Sequence, residues 1–140
     1  MKVDQAFFSE TVLDSLARGE SVLLRVQGVS MLPWLREGDK VRILPAAGRF
    51  LRRGDIALYL RAPGRPILHR VVRVGCENGA VFYECRGDSE HGIPERLPAS
   101  AVMGAVATTP LRRAMYLALN PARRFGNRLL SRWGRLVHHG

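Results

Sequence analysis

The chain has 140 residues, 46% hydrophobic and 24% charged, enough for one domain with a real core and too few for a two-domain enzyme. Twenty-two basic against twelve acidic residues give a formal net charge of +10, which invites an acidic partner such as nucleic acid or an anionic membrane. All twelve acids and fourteen of the bases fall in residues 1–95, whereas residues 96–140 hold eight arginines and no acid, so the basicity belongs to the C-terminal third. Two cysteines, Cys76 and Cys85, exclude a disulfide scaffold and a cysteine-rich metal site. No apolar run reaches the roughly eighteen residues of a spanning helix, and the first ten residues lack the apolar centre of a secretory signal. The expectation is a cytoplasmic chain, peripheral at most to a membrane surface.

Phe8, Val12, Leu13 and Leu16 recur at helical spacing within residues 5–18, with Gly19 as the stop. Residues 21–27 read as a strand, followed by a compact loop, Gly28-Val29-Ser30-Met31-Leu32-Pro33-Trp34-Leu35. Gly38-Asp39 precedes a short strand over 40–44, and Gly54-Asp55 precedes another over 56–60. Asp39 and Asp55 are turn and capping residues on this reading. Strand-like runs over 67–74 and 80–85 flank Asn78-Gly79, a strong signal for a type I′ hairpin turn. A last strand over 101–107 has small residues suited to a packed sheet. The pattern predicts an N-terminal helix over 1–20, a mainly β domain over 21–108 with about six strands, coiled into a partly open barrel, and a basic helical tail over 109–140.

A two-residue turn at Asn78-Gly79 would set Val71 opposite Arg86 and His69 opposite Asp88, with Cβ atoms roughly 5 Å apart. His–Asp is the orienting pair that a histidine base needs. A single bulge would shift the register by one and part them. The same register puts Cys85 about 13 Å along the sheet from Cys76, too far for a disulfide, so both read as ordinary buried thiols. The plain alternative for His69 is a strand-end polar residue that only hydrogen-bonds.

Ser30 is the candidate nucleophile, although a serine in such a loop commonly just caps a turn. Around it runs an ordered series: a strand, Gly-x-Ser-Met-x-Pro-x-Leu, Gly-Asp-x-Val, Arg-Gly-Asp-Ile, His-Arg-Val-Val and Arg-Gly-Asp. The series resembles the signal-peptidase-like serine peptidases, relatives of type I signal peptidases and of the self-cleaving repressor peptidases, over roughly residues 21–107. Most bacterial members pair the serine with a lysine. Here the two lysines, Lys2 and Lys40, stand elsewhere, and His69 occupies the position before Arg-Val-Val where the family's base stands. The chain therefore resembles the histidine branch found in endoplasmic-reticulum and archaeal signal peptidases. An imidazole is available as a base at neutral pH, whereas a lysine needs burial to lose its proton.

The resemblance implies acyl transfer: Ser30 attacks a peptide carbonyl, His69 takes and returns the proton, and Asp88 orients the imidazole, with Glu90 or Glu95 as further candidates for that third role. It implies an oxyanion hole of backbone N–H groups including that of Ser30, since Gly28 stands where classical relatives carry a hydroxyl. Met31 and Leu32 would line a small apolar substrate pocket, or else serve the core. The implied activity is removal of a leader or signal segment from a protein precursor, without metal or organic cofactor. Two alternatives are a non-catalytic module gripping an extended peptide by strand addition and a self-processing peptidase. The second is disfavoured, because no Ala-Gly or Cys-Gly bond precedes Ser30.

The tail predicts helices over 111–119 and 121–137. In the second, Phe125, Leu129, Leu130, Trp133, Leu136 and Val137 recur at helical spacing among five arginines. Such a helix lies in an anionic membrane interface, or packs on the domain or on another chain. Nucleic acid fits poorly, because there is no recognition-helix motif and few aromatics to stack bases.

Overall fold

A computed structural model describes residues 3–62, 65–108 and 110–120. Helix α1 (Val3–Ala17) is followed by strands β1 (Val22–Arg25), β2 (Lys40–Pro45), β3 (Ile56–Ala62), β4 (Arg65–Glu77), β5 (Ala80–Arg86), β6 (Glu95–Pro98) and β7 (Val102–Val106), then by helix α2 (Pro110–Leu119). The strands form one antiparallel sheet in the order β1-β2-β7-β3-β4-β5-β6. The protein is mainly β as its sequence predicts, and the sheet is not a closed barrel: β1 and β6 are its edges. The predicted second tail helix, 121–137, lies outside the described residues.

Glycine chemistry sets the joints. Helix α1 ends in a Schellman motif: Gly19 at φ +81° lets its own N–H reach Leu16 O and the Glu20 N–H reach Ser15 O. Arg36-Glu37-Gly38-Asp39 and Arg52-Arg53-Gly54-Asp55 fold into the same turn. In each, the Asp N–H bonds the Arg carbonyl (3.0 Å) and the Asp carboxylate accepts the Arg N–H, at 2.9 and 2.7 Å. Gly38 and Gly54, at φ +92° and +97°, take the third position, which a side chain would strain. Asp39 and Asp55 are thus the turn residues expected of them.

Alternation sorts the strand residues onto two faces. One carries Val12 and Leu16 of α1 with Leu24, Val41, Ile43, Ile56, Leu58 and Val106. The other buries Ala57, Tyr59, Val71, Tyr83, Cys85, Leu97 and Ala105, and is capped by Leu51, whose N–H donates to Tyr83 Oη at 2.9 Å. Strand β7 must be small where it crosses β2. A Cβ on Gly104 would meet Ile43 Cγ2 at 2.5 Å and the Leu44 carbonyl oxygen at 2.7 Å.

The β4–β5 hairpin turns at Asn78 (φ 51°) and Gly79 (φ 78°), the paired positive φ of a type I′ turn. The predicted register holds from Glu77↔Ala80 to Arg73↔Glu84 and then breaks. Val72 is an extra residue, so Val71 faces Cys85 and Arg70 faces Arg86. The expected pairing of His69 with Asp88 is therefore overturned by one β-bulge. Cys76 also departs from expectation: it is exposed, while Cys85 is buried and its thiol is pushed up to about 12 by that burial.

Candidate active site

The loop after β1 and the loop after β5 meet although five strand spacings, roughly 24 Å across a flat sheet, separate their strands in the sheet order. The sheet curls to bring them together. Ser89 N–H donates to Ser30 O at 3.0 Å, and Ser89 Oγ donates to Val29 O at 3.0 Å. Gly87 makes the approach possible, since a Cβ there would stand 2.6 Å from Ser30 O and 3.0 Å from Ser30 Cβ. These two hydrogen bonds fix the carbonyls on both sides of the Ser30 amide. The Ser30 N–H itself has no acceptor among the described residues.

Ser30 and His69 line one cavity of about 120 Å³. Leu24, Met31, Leu58 and Leu68 give it apolar lining, and Arg25, Val26 and Gln27, at the end of edge strand β1, line it as well. Of the two predicted pocket residues, Met31 lines the cavity and is buried, while Leu32 is half-buried and is not among the lining residues. No hydrogen bond joins Ser30 Oγ to His69 among the described residues. His69 Nε2 stands instead 3.5 Å from the Glu90 carboxylate, on the loop that holds Ser30.

Opposite Nε2, the imidazole Nδ1 lies 3.2 Å from Tyr59 Oη, which donates to Glu95 Oε1 at 2.7 Å. Arg61 Nη2 donates to the same carboxylate oxygen at 3.2 Å. Burial is the largest influence on Glu95 and would raise it, but the hydrogen bonds from Arg61 and Tyr59 together hold its carboxyl below the usual range. Burial pushes the Tyr59 hydroxyl far above its ordinary value, with the Glu95 hydrogen bond adding to it. Burial likewise holds His69 below its ordinary value, outweighing the attraction of Glu90. At neutral pH the imidazole is therefore uncharged.

Asp88 is committed elsewhere. It forms a bidentate pair with Arg70, Nη2–Oδ2 2.7 Å and Nε–Oδ1 3.2 Å, in which both side chains are only 4% exposed. Arg70 also donates to Gly54 O at 2.9 Å and lies over the Tyr116 ring at 4.0 Å, so it ties the second Gly-Asp turn and helix α2 to the sheet. Of the three candidate acids, Glu90 faces His69 directly and Glu95 reaches it through Tyr59, while Asp88 belongs to Arg70.

Tyr59 is the site residue that the sequence hid. Ala57 pairs with His69 across β3 and β4, and Tyr59, two residues on, shares its face and reaches it diagonally. The signal was a tyrosine at the alternation phase that faces the histidine, but the register across the Pro- and Gly-containing 61–66 connection is not fixed by its residues.

In comparisons with known proteins, the chain matches no protein-family profile and no curated protein. The described residues hold no cluster of three or more metal-ligating side chains.

Proposed function

We propose that the protein is a serine endopeptidase of the signal-peptidase-like type, cutting an extended segment from a polypeptide precursor with Ser30 as nucleophile and His69 as general base. Its sheet would be the partly open, coiled barrel of that family. The observation that carries the proposal is that Ser30, whose N–H has no acceptor among the described residues, and the buried His69 imidazole line one cavity beside edge strand β1. A substrate strand adds to the β1 edge, main chain to main chain, and its side chains fall against Leu24, Met31 and Leu58. Ser30 Oγ attacks the scissile carbonyl as His69 Nε2 takes the hydroxyl proton. The oxyanion accepts the Ser30 N–H, and His69 returns its proton to the leaving amine. Water then repeats the sequence on the acyl-enzyme. Glu90, 45% exposed, swings into solvent to admit the serine hydroxyl. The test is incubation with a library of apolar, extended peptides read by mass spectrometry. Cleavage by the wild type and none by S30A is expected; equal cleavage by both would overturn it, and binding without cleavage would favour a strand-gripping module.

The partner surface proposed with it is an anionic bilayer, met through α2. Leu111, Met115 and Leu119 form an exposed stripe at i, i+4 and i+8, while Tyr116, on an adjoining flank of the helix, is buried. Beside them Lys40, Arg42 and Arg112 line a cavity of about 320 Å³ with no acidic residue on its wall. That charge favours lipid phosphates. Among the described residues no helix is long and apolar enough to cross a membrane. Sedimentation with phosphatidylglycerol vesicles is expected to carry the protein down, with phosphatidylcholine much less so, and L111E/M115E should cut binding at least about tenfold. Equal sedimentation of that variant would remove α2 from the interface.

A further inference from the structure

We propose that Tyr59 and Glu95 are positioning residues for His69, acting as an orienting relay that leaves Nδ1 protonated and Nε2 bare toward Ser30. The inference rests on the Ser30–His69 reading and supplies its missing third member. It follows from counting protons. A tyrosine hydroxyl has one hydrogen and two lone pairs. Tyr59 spends that hydrogen on Glu95, at the 2.7 Å typical of a hydroxyl on an ionised carboxylate. The reverse direction would need a proton on Glu95 Oε1, where Arg61 already donates at 3.2 Å. Having no hydrogen left for His69, Tyr59 Oη can only accept, so the 3.2 Å contact is Nδ1–H donating to oxygen.

The consequence is a histidine locked in the tautomer that a base requires. A bare Nε2 accepts the Ser30 proton, and the imidazolium so formed keeps Nδ1–H on Tyr59, with the Glu95 charge one hydroxyl away. The hydroxyl also keeps that carboxylate from contacting the ring, so the base is oriented without a directly paired aspartate. Glu90 Oε1, 3.5 Å from Nε2, makes no hydrogen bond with it among the described residues and gains an ion pair there only when the ring takes up a proton. The groups whose charge or polarity acts on His69 are Tyr59 and Arg61 from β3, Glu90 and the more distant, Arg70-paired Asp88 from the loop after β5, and Glu95 from β6, while Cys85 of β5 acts on Tyr59. Three of these are carboxylates and Arg61 alone is cationic. The relay therefore adds to an acidic surround, and the histidine titration reads its loss.

The test is nitrogen NMR of the full chain labelled with ¹⁵N-histidine, beside Y59F, E95Q and H69Q. The chain has four histidines, and the signals lost in H69Q assign His69. Near pH 7.5 the wild type is expected to show a protonated Nδ1 and a bare Nε2. Y59F removes the acceptor and should shift population toward Nε2–H, with the plateau rate of fluorophosphonate labelling falling at least about tenfold. E95Q keeps an oxygen for Tyr59 and Arg61, so its tautomer should persist while the His69 titration moves to lower pH. An Nε2–H wild type would overturn the relay, as would a Y59F spectrum like the wild type's or an E95Q titration that does not move. A fixed Nδ1–H tautomer in a protein that no fluorophosphonate labels would support the relay and count against the peptidase reading alone.

Discussion

Arg70→Met is expected to cost about 3–5 kcal/mol of unfolding free energy, a large share of the stability of a domain this size. The substitution strands the Asp88 carboxylate, 4% exposed, with no cation to match it, and frees the Gly54 carbonyl and the Tyr116 face at once. The double variant R70M/D88L should recover most of the loss, because an apolar pair of similar volume avoids burying an unpaired charge. Urea denaturation of the three proteins decides it. A single variant within 1 kcal/mol of wild type, on the order of an exposed pair, would mean that Asp88 is not held as the structure shows.

His69→Gln is expected to slow fluorophosphonate labelling of Ser30 by about 10²–10⁴-fold, the usual worth of a positioned general base. The fold should survive, since the amide nitrogen of glutamine can still donate to Tyr59. The pH dependence gives the same role a sign. His69 must be neutral to act, and burial holds it below its ordinary value, so the labelling rate rises with pH through a midpoint under about 6.5. For stability the sign is the same: below about 6.5 the unfolded chain binds the proton more readily, so stability declines as pH falls toward the folded value. Labelling by H69Q at the wild-type rate would leave His69 a buried polar residue and no more.

The elements with local causes were legible from residues. Asn78-Gly79 dictates its turn, Gly19 its helix end, and the two Arg-x-Gly-Asp turns close on their own aspartates. What failed were the long-range registers. Nothing in Arg-Val-Val-Arg announces that Val72 bulges, yet that one residue moves Asp88 from His69 to Arg70. Strand β6, Glu95–Pro98, was missed because its alternation is brief and charged and a proline closes it, as suits a sheet edge. Glu95 was a candidate without it, but its route to His69 through Tyr59 depends on the pairing of β6 with β5. Ser30 and His69 were visible as candidates because the resemblance ordered the motifs, while their common cavity depends on the curl of the sheet.

The most direct test of the account is the rate and site of fluorophosphonate labelling of the wild-type chain from pH 5 to 9, with the modified residue mapped by mass spectrometry. The account predicts a single adduct on Ser30, forming faster as pH rises through a midpoint below about 6.5 and then levelling off. An adduct elsewhere, or a Ser30 rate that is flat across the range or climbs only at alkaline pH, would contradict a serine activated by a neutral His69.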